Sequence, residues 1–229
     1  MAIMQPMYLP WKGIFDLAQN VDVFVFFDEA QFTSKSTKTR NYIKSPSGLL
    51  RLSVPTSVDS PRPRMVDVRI PTIAWQKKHA RSIQINYGKL PGFELLSEFL
   101  QLGFGAQHWT SLVELNIWTT KFLASILGIR MPEWHRSTLV PRSSEERTAR
   151  VVEIASAFGA TELLNGPSAR MHLDNGQIRE SGITTSYMRY EYPPYDQAFP
   201  PFVHEVSVLD LIANHGSNAK FFLNGGLES

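Results

Sequence analysis

The chain of 229 residues carries 43% apolar residues, a formal charge of +2 and no cysteine. Its length favours one domain, with or without a subdomain, and its composition fills a core while excluding disulfides, thiol catalysis and cysteine-bound zinc. So small a charge does not argue for nucleic acid, and neither a membrane-length apolar run nor a signal-peptide pattern is present, so a cytoplasmic protein is expected. Residues 2–4 read as a short apolar strand, followed by Gln5-Pro6 and Leu9-Pro10-Trp11. Pro10 suits the first position of a helix, where its missing N–H is no loss. Ile14, Phe15, Leu17 and Ala18 supply that helix with an apolar stripe. Residues 23–27 are a continuous β-prone run ending at Asp28, the pattern of a strand buried on both faces. Strand, short helix and strand within thirty residues make the opening of a right-handed βαβ unit, whose ligands lie beyond the carboxyl ends of the strands. On that rule Gln5, Tyr8, Trp11 and Asp28 share one rim, with Gln31 close behind.

Lys35, Lys38, Arg40 and Lys44 then place four positive charges in ten residues with no acid between them. This stretch reads as a basic loop beside the rim, able to hold phosphate through arginine forks and lysine point charges, or simply as a solvated loop. Residues 49–54 are the next strand, 55–65 an exposed proline-rich loop, and 66–70 a short strand. A helix with Thr72 as N-cap runs to Tyr87 and carries Trp75 and His79 about one turn apart. A shorter apolar helix spans 93–102. Ser111-x-x-Glu114 opens a strongly apolar helix stopped at Gly128, and Ser143-x-x-Glu146 opens another ended by Gly159. Residues 161–169 read as a strand and a Gly-Pro turn, without the spacing of a phosphate loop. Residues 183–190 read as a strand leading into Tyr190-Glu-Tyr192-Pro-Pro-Tyr195-Asp-Gln197, a rigid surface suited to sugars or bases, or an ordered segment packed over the core. Ser207 caps a last helix containing Asp210 and Asn214 and ending at His215-Gly216. The expectation is an α/β fold with a Rossmann-like, mainly parallel sheet and flanking helices. It forms a single domain over 1–229 with a helical subdomain at about 72–130.

With these residues in view, the chain resembles the WbqC-like family of bacterial proteins. The matching blocks are Gln5-Pro-Met-Tyr8-Leu-Pro-Trp11-Lys-Gly13, Asp22-Val-Phe-Val-Phe-Phe-Asp28 with Gln31-Phe32, and Arg40-Asn41-Tyr-Ile43-Lys44. Further blocks are Trp75-Gln-Lys-Lys-His79, Tyr195-Asp-Gln197 and the run from Ser207 to Gly216, so the resemblance covers nearly the whole chain. The family is associated with bacterial surface-polysaccharide gene clusters, and transfer of glycine or another small amino-acid or acyl group to a sugar has been suggested for it. The resemblance therefore implies a transferase acting on a sugar nucleotide or glycan, of the kind used in O-antigen synthesis. It assigns no catalytic residue. The first thirty residues are also similar to the opening of pantothenate synthetase and related nucleotidylyltransferases. Where those enzymes carry HxGH, this chain has Leu9-Pro10-Trp11-Lys12-Gly13, so the likeness extends to the fold and not to adenylation.

Transfer to a sugar amino or hydroxyl group needs a base for the nucleophile's proton and donors for the oxyanion. Without a thiol or a phosphate loop, the donor is expected to arrive activated, as a coenzyme A thioester, a carrier-protein thioester or an aminoacyl-tRNA. No other cofactor is evident, and no H-x-x-x-H spacing suggests a metal. His79, Asp28 and His215 are the candidate catalytic groups. Gln5, Tyr8, Trp11, Gln31, Trp75, Tyr195, Gln197, Asp210 and Asn214 are candidate substrate contacts, together with Asn41 as an amide donor and Arg40 and Lys44 on phosphate. All are expected at one pocket on the carboxyl rim. Two other classes remain open from the residues. One is a non-catalytic nucleotide- or nucleic-acid-binding module using the basic loop and the tyrosines. The other is a hydrolase on an acyl or glycosyl bond using Asp28 with a second carboxylate such as Asp210.

Overall fold

In the computed structural model, which describes residues 1–227, the βαβ opening forms as expected. Strand β1 (Ala2–Met4), helix α1 (Lys12–Gln19) and strand β2 (Val23–Phe26) follow one another, with β1 and β2 parallel and Ile3 opposite Val25. Because Phe24, Val25 and Phe26 are all buried, β2 needs a neighbour on each edge. The second neighbour is strand β5 (Glu133–Arg136), also parallel. On the far edge of β1, the Leu164 N–H reaches the Met1 carbonyl at 2.8 Å and the Met1 ammonium reaches the Glu162 carbonyl at 2.9 Å. These bonds join β1 to strand β6 (Glu162–Asn165), which pairs in parallel with β7 (Thr184–Arg189), and β7 carries β8 (Gly226–Leu227) antiparallel. The architecture is mixed α/β with a mainly parallel sheet. Helix α5 (Arg147–Ala157) connects β5 to β6, and α6 (Asn175–Glu180) connects β6 to β7.

The other helices build a layer beside the N-terminal strands. They are α2 (Ala74–Tyr87), α3 (Phe93–Leu100), α4 (Leu112–Leu127) and α7 (Val208–His215), and their apolar faces share the main core with β1 and β2. Ser111 caps α4 through the Glu114 N–H at 3.4 Å, and Gly128 closes it at φ 62°. Gly92 lies against α7, where an added Cβ would fall 1.9 Å from the Ile212 carbonyl oxygen, so this helix contact requires glycine. Among the described residues, no helix is long and apolar enough to cross a membrane.

Two local expectations are corrected. The basic stretch is not wholly a loop: Arg40–Ser45 is a strand, β3, paired antiparallel with β4 (Gly48–Ser53) through a turn in which Gly48 holds φ 102°. The charges conceal a period of two, in which buried Ile43 and Leu52 point to the core while Arg40 and Tyr42 take the other face. The 66–70 segment is one helical turn at Met65–Asp67, after which only Arg69 bridges Ser57 and Ser111.

The two carboxylates that follow β2 act as staples. Asp28 is fully buried and accepts from the Ser137 hydroxyl at 2.9 Å, the Thr138 hydroxyl at 3.0 Å, the Thr138 N–H at 3.2 Å and the Arg136 guanidinium. Glu29 pairs with Arg150, which is also fully buried and donates to the carbonyls of Ser137, Val140 and Pro141. Together they fix α5 and the segment after β5 to the end of β2. Arg150→Ala would leave Glu29 in a dry interior with only the more distant Arg142 guanidinium, at 3.9 Å, as counter-charge, which costs about 3 kcal/mol, the low end for a broken buried pair. Urea unfolding should show a loss of that size, and a loss under about 1 kcal/mol would show that the pair is not anchoring the fold.

Candidate functional site

Residues 5–11 leave the carboxyl end of β1 through a tight path. Leu9 holds φ 44°, a left-handed conformation that leucine rarely adopts. Its carbonyl is held by the Asn41 amide at 2.6 Å, and the Tyr8 N–H is tied to the Thr37 carbonyl at 3.0 Å. The segment is thereby locked to the start of β3, and Met7 and Trp11 face the hairpin across a cleft of about 570 Å³. Ser36, Thr37, Arg40, Asn41 and Tyr42 form the hairpin side, and Tyr190, Tyr192, His204 and Glu205 form the remaining wall. Trp11 stands edge-on to Tyr190, with ring centroids 5.0 Å apart, and to Tyr192, at 6.1 Å, while the two tyrosines stack on each other. At Gly13 a Cβ would lie 2.3 Å from the Trp11 indole, so glycine is what lets that ring fold back over the start of α1.

The polar groups at this wall are unusual in lacking partners. Lys12 is 3% exposed, and its ammonium sits 4.2 Å from the centre of the Tyr192 ring and 5.1 Å from that of Tyr195, with no hydrogen-bond partner among the described residues. Burial holds its pKa down at about 8, against the opposing pull of Asp16. The Asp16 carboxylate is already engaged by the Tyr192 hydroxyl at 2.6 Å and the Gly225 N–H at 2.9 Å. The Tyr190 hydroxyl and His204 Nδ1 are also buried and unpaired. Desolvation and then the Lys12 ammonium lower the His204 pKa, so this imidazole is neutral at pH 7. Burial raises the Tyr190 pKa, which keeps its phenol protonated. Buried polar atoms are nearly always paired. Five others are unpaired elsewhere among the described residues, His215 Nε2 included, but Tyr190 and His204 line the cleft and Lys12 lies against Tyr192, which lines it too. Among the described residues, the Arg40 side chain has no hydrogen bond or ion pair.

Of the residues expected from sequence, Trp11, Arg40 and Asn41 line the cleft. Tyr8, Trp75 and His79 lie together in the core instead. The Tyr8 hydroxyl and His79 Nδ1 share a hydrogen bond of 2.7 Å, and Trp75 packs on both rings. Asp28 is taken up by its four donors, Gln31 is exposed and bridges Arg64, and Gln5 is half-buried outside the cleft lining. Lys44 is buried, and its ammonium donates to the Pro201 carbonyl.

Asp210, fully buried, accepts from the hydroxyls of Tyr87 and Tyr195, each at 2.8 Å, and from the Gln197 amide at 2.9 Å. Gln197 also clasps the Val203 backbone, and Asn214 joins the Ala198 N–H to the Asp210 carbonyl. His215 packs between Tyr195 and Phe222. These five residues pin the segment before α7 in place, and so position Tyr190, Tyr192 and His204 without lining the cleft themselves. Asp28 and Asp210 share no hydrogen-bond partner, and neither lines the cleft. Sequence reasoning passed over the cleft residues Met7, Ser36, Thr37, Tyr42, His204 and Glu205, and Lys12 packed against Tyr192. Lys12 stood inside the opening motif, while His204-Glu205 lies in a stretch with no periodic signal.

A family model for the WbqC-like protein family matches residues 5–221, a span that contains every cleft residue. The chain belongs to that family. An uncharacterized protein of Mycobacterium tuberculosis is similar to this WbqC-like chain, with 31% identity over 229 residues that cover 97% of this chain and 96% of the mycobacterial one. No solved structure matches it.

His79 provides a test of its buried position. Desolvation lowers its pKa to about 4, against a smaller opposing effect of the Ser53 backbone. The unfolded chain, with an ordinary histidine near pKa 6.5, therefore binds more protons between those values. Stability should be full above pH 6.5 and decline as the pH falls toward 4. In His79→Gln that acid limb should flatten over the same window in urea titrations. An unchanged slope would show that His79 is not buried in its neutral form.

Proposed function

We propose that the cleft binds a phosphate-bearing sugar, most simply a sugar nucleotide, and that the chain transfers an activated amino-acid (glycine-like) or acyl group to an amino or hydroxyl group of that sugar. The observation that carries this reading is the pairing of a Trp11–Tyr190–Tyr192 wall with an unpartnered Arg40 in one cleft. Aromatic faces take sugar rings and bases, and an arginine fork takes phosphate in two parallel hydrogen bonds. The cleft volume of about 570 Å³ falls within the range of about 300–1,000 Å³ usual for small-molecule sites. Membership of the WbqC-like family is consistent with a polysaccharide-associated role.

The reaction follows from the same groups. The acceptor nitrogen or oxygen attacks the carbonyl of a coenzyme A thioester, a carrier-protein thioester or an aminoacyl ester. The acceptor's proton goes to a base, and collapse of the tetrahedral adduct expels the thiol or alcohol. His204 is the histidine at the cleft wall, and its neutral imidazole suits the base role. The protonated Tyr190 hydroxyl can donate to the oxyanion. This assignment moves the base from His79, His215 or Asp28 to His204.

Binding of uridine diphosphate N-acetylglucosamine and related sugar nucleotides, read by tryptophan fluorescence and melting temperature, tests the reading. Trp11→Ala and Arg40→Ala should each weaken binding by about tenfold or more, equivalent to about 1.4 kcal/mol. His204→Gln should bind normally while turnover falls by about 10²–10⁴-fold. Affinities equal to the parent's in both cleft variants would refute the site. Cleft-dependent binding without transfer from any of the three donors would leave a non-catalytic sugar-nucleotide module.

A further inference from the structure

Arg40 also borders a second hollow, of about 480 Å³. Its lining is Ser34, Lys35, Thr39, Arg51, Ser53, Val54 and Thr56, with no acidic residue. The hairpin register sets Arg40 opposite Ser53 and Tyr42 opposite Arg51. Arg40 and Arg51 are therefore diagonal neighbours on one face, and such pairs stand about 7–8 Å apart. Like charges so placed repel one another, and a carboxylate between them would relieve this. Here none is supplied: among the described residues, the side chains of Lys35, Arg40 and Arg51 have no ion pair or hydrogen bond. Lys35 is held over the hollow in a left-handed conformation, at φ 56°, on a turn closed by the Ser36 hydroxyl and the Thr33 carbonyl at 2.8 Å. Three cations and four hydroxyl side chains thus line one concavity with no acidic side chain in its lining among the described residues.

We propose that this hollow is a phosphate site, contiguous with the aromatic cleft but built on Arg51 and Lys35, with Arg40 shared between the two. Planar guanidinium forks donate two parallel hydrogen bonds each to phosphate oxygens, and an ammonium on a long stem adds a mobile point charge. A phosphomonoester or a diphosphate is the chemistry that satisfies all three cations. The phosphate has two possible sources: the far end of the ligand whose ring fills the cleft, or a second, phosphate-bearing ligand such as the activated donor. The site goes beyond the transfer reading and does not need that reading to hold.

Inorganic pyrophosphate is the probe, titrated calorimetrically into the full chain at low salt. The parent protein should bind it. Arg51→Ala, a change on an exposed strand face that should leave the circular dichroism unchanged, should weaken binding by about tenfold or more. Arg51→Lys should fall between the two, because it keeps the charge and loses the fork. Trp11→Ala should bind pyrophosphate as the parent does, which separates this site from the cleft. Lys89→Ala, which removes an exposed charge far from the hairpin in sequence, should have no effect. Absence of pyrophosphate binding, equal binding by Arg51→Ala, or an equal loss in Lys89→Ala would each overturn the proposal. With pyrophosphate bound, a fall in sugar-nucleotide affinity in proportion to occupancy assigns the phosphate to the same ligand. Unchanged affinity assigns it to a second one.

Discussion

Asp210, behind the cleft rather than in its lining, is where three parts of the fold are tied together. Its buried carboxylate takes one hydrogen bond from Tyr87 on α2 and two from Tyr195 and Gln197 in the segment before α7. The Tyr87 hydroxyl in turn accepts the Lys44 N–H at 2.8 Å, which ties the β3–β4 hairpin to the same point. One carboxylate therefore couples the helical layer, the hairpin and the tyrosine-rich segment. Burial raises its pKa, and its three donors oppose that shift. A buried polar network of this kind is valuable only when complete, because a lost partner leaves charge or dipole stranded in a low dielectric. The segment carrying Tyr190, Tyr192 and His204 is thereby tied to both α2 and the hairpin, while the Tyr190 hydroxyl and His204 Nδ1 take no part in the network.

Much of the fold could be read in the sequence. Residues 23–27 have no polar face, which requires a central strand, and the structure puts β2 between β1 and β5. The serine caps at Ser111 and Ser207 act where the pattern places them. Strand β3 was hidden because charge dominates its composition while only Ile43 and its partners across the hairpin mark the inner face. Glu146 is itself the N-cap of α5, taking the Thr148 and Ala149 N–H groups, although Ser143 three residues earlier gave the expected signature.

The site was legible only in part, and for a physical reason. Sequence displays residue type but not whether a polar group's valences are already spent. Asp28, Asp210, His79 and Lys44 look chemically active in a string of letters, and each is consumed by partners far away in the chain. Lys12, Tyr190 and His204 become conspicuous only when their missing partners can be seen. Trp11 and Arg40 were recoverable because an indole beside prolines and an arginine in an acid-free run have few structural uses. The carboxyl-rim rule points to the end of β1, where the candidate cleft lies, while the carboxylates at the end of β2 serve as staples.

The central claim is that the ligand site is the Trp11–Arg40–Tyr190 cleft. A crystal structure of the chain with a bound nucleoside-diphosphate sugar tests it most directly. The account predicts a ring of the ligand within about 4.5 Å of the Trp11 or Tyr190 face, and phosphate oxygens about 2.7–2.9 Å from the Arg40 guanidinium. A ligand seated instead beside Asp28 at the end of β2, with the cleft empty, would contradict it.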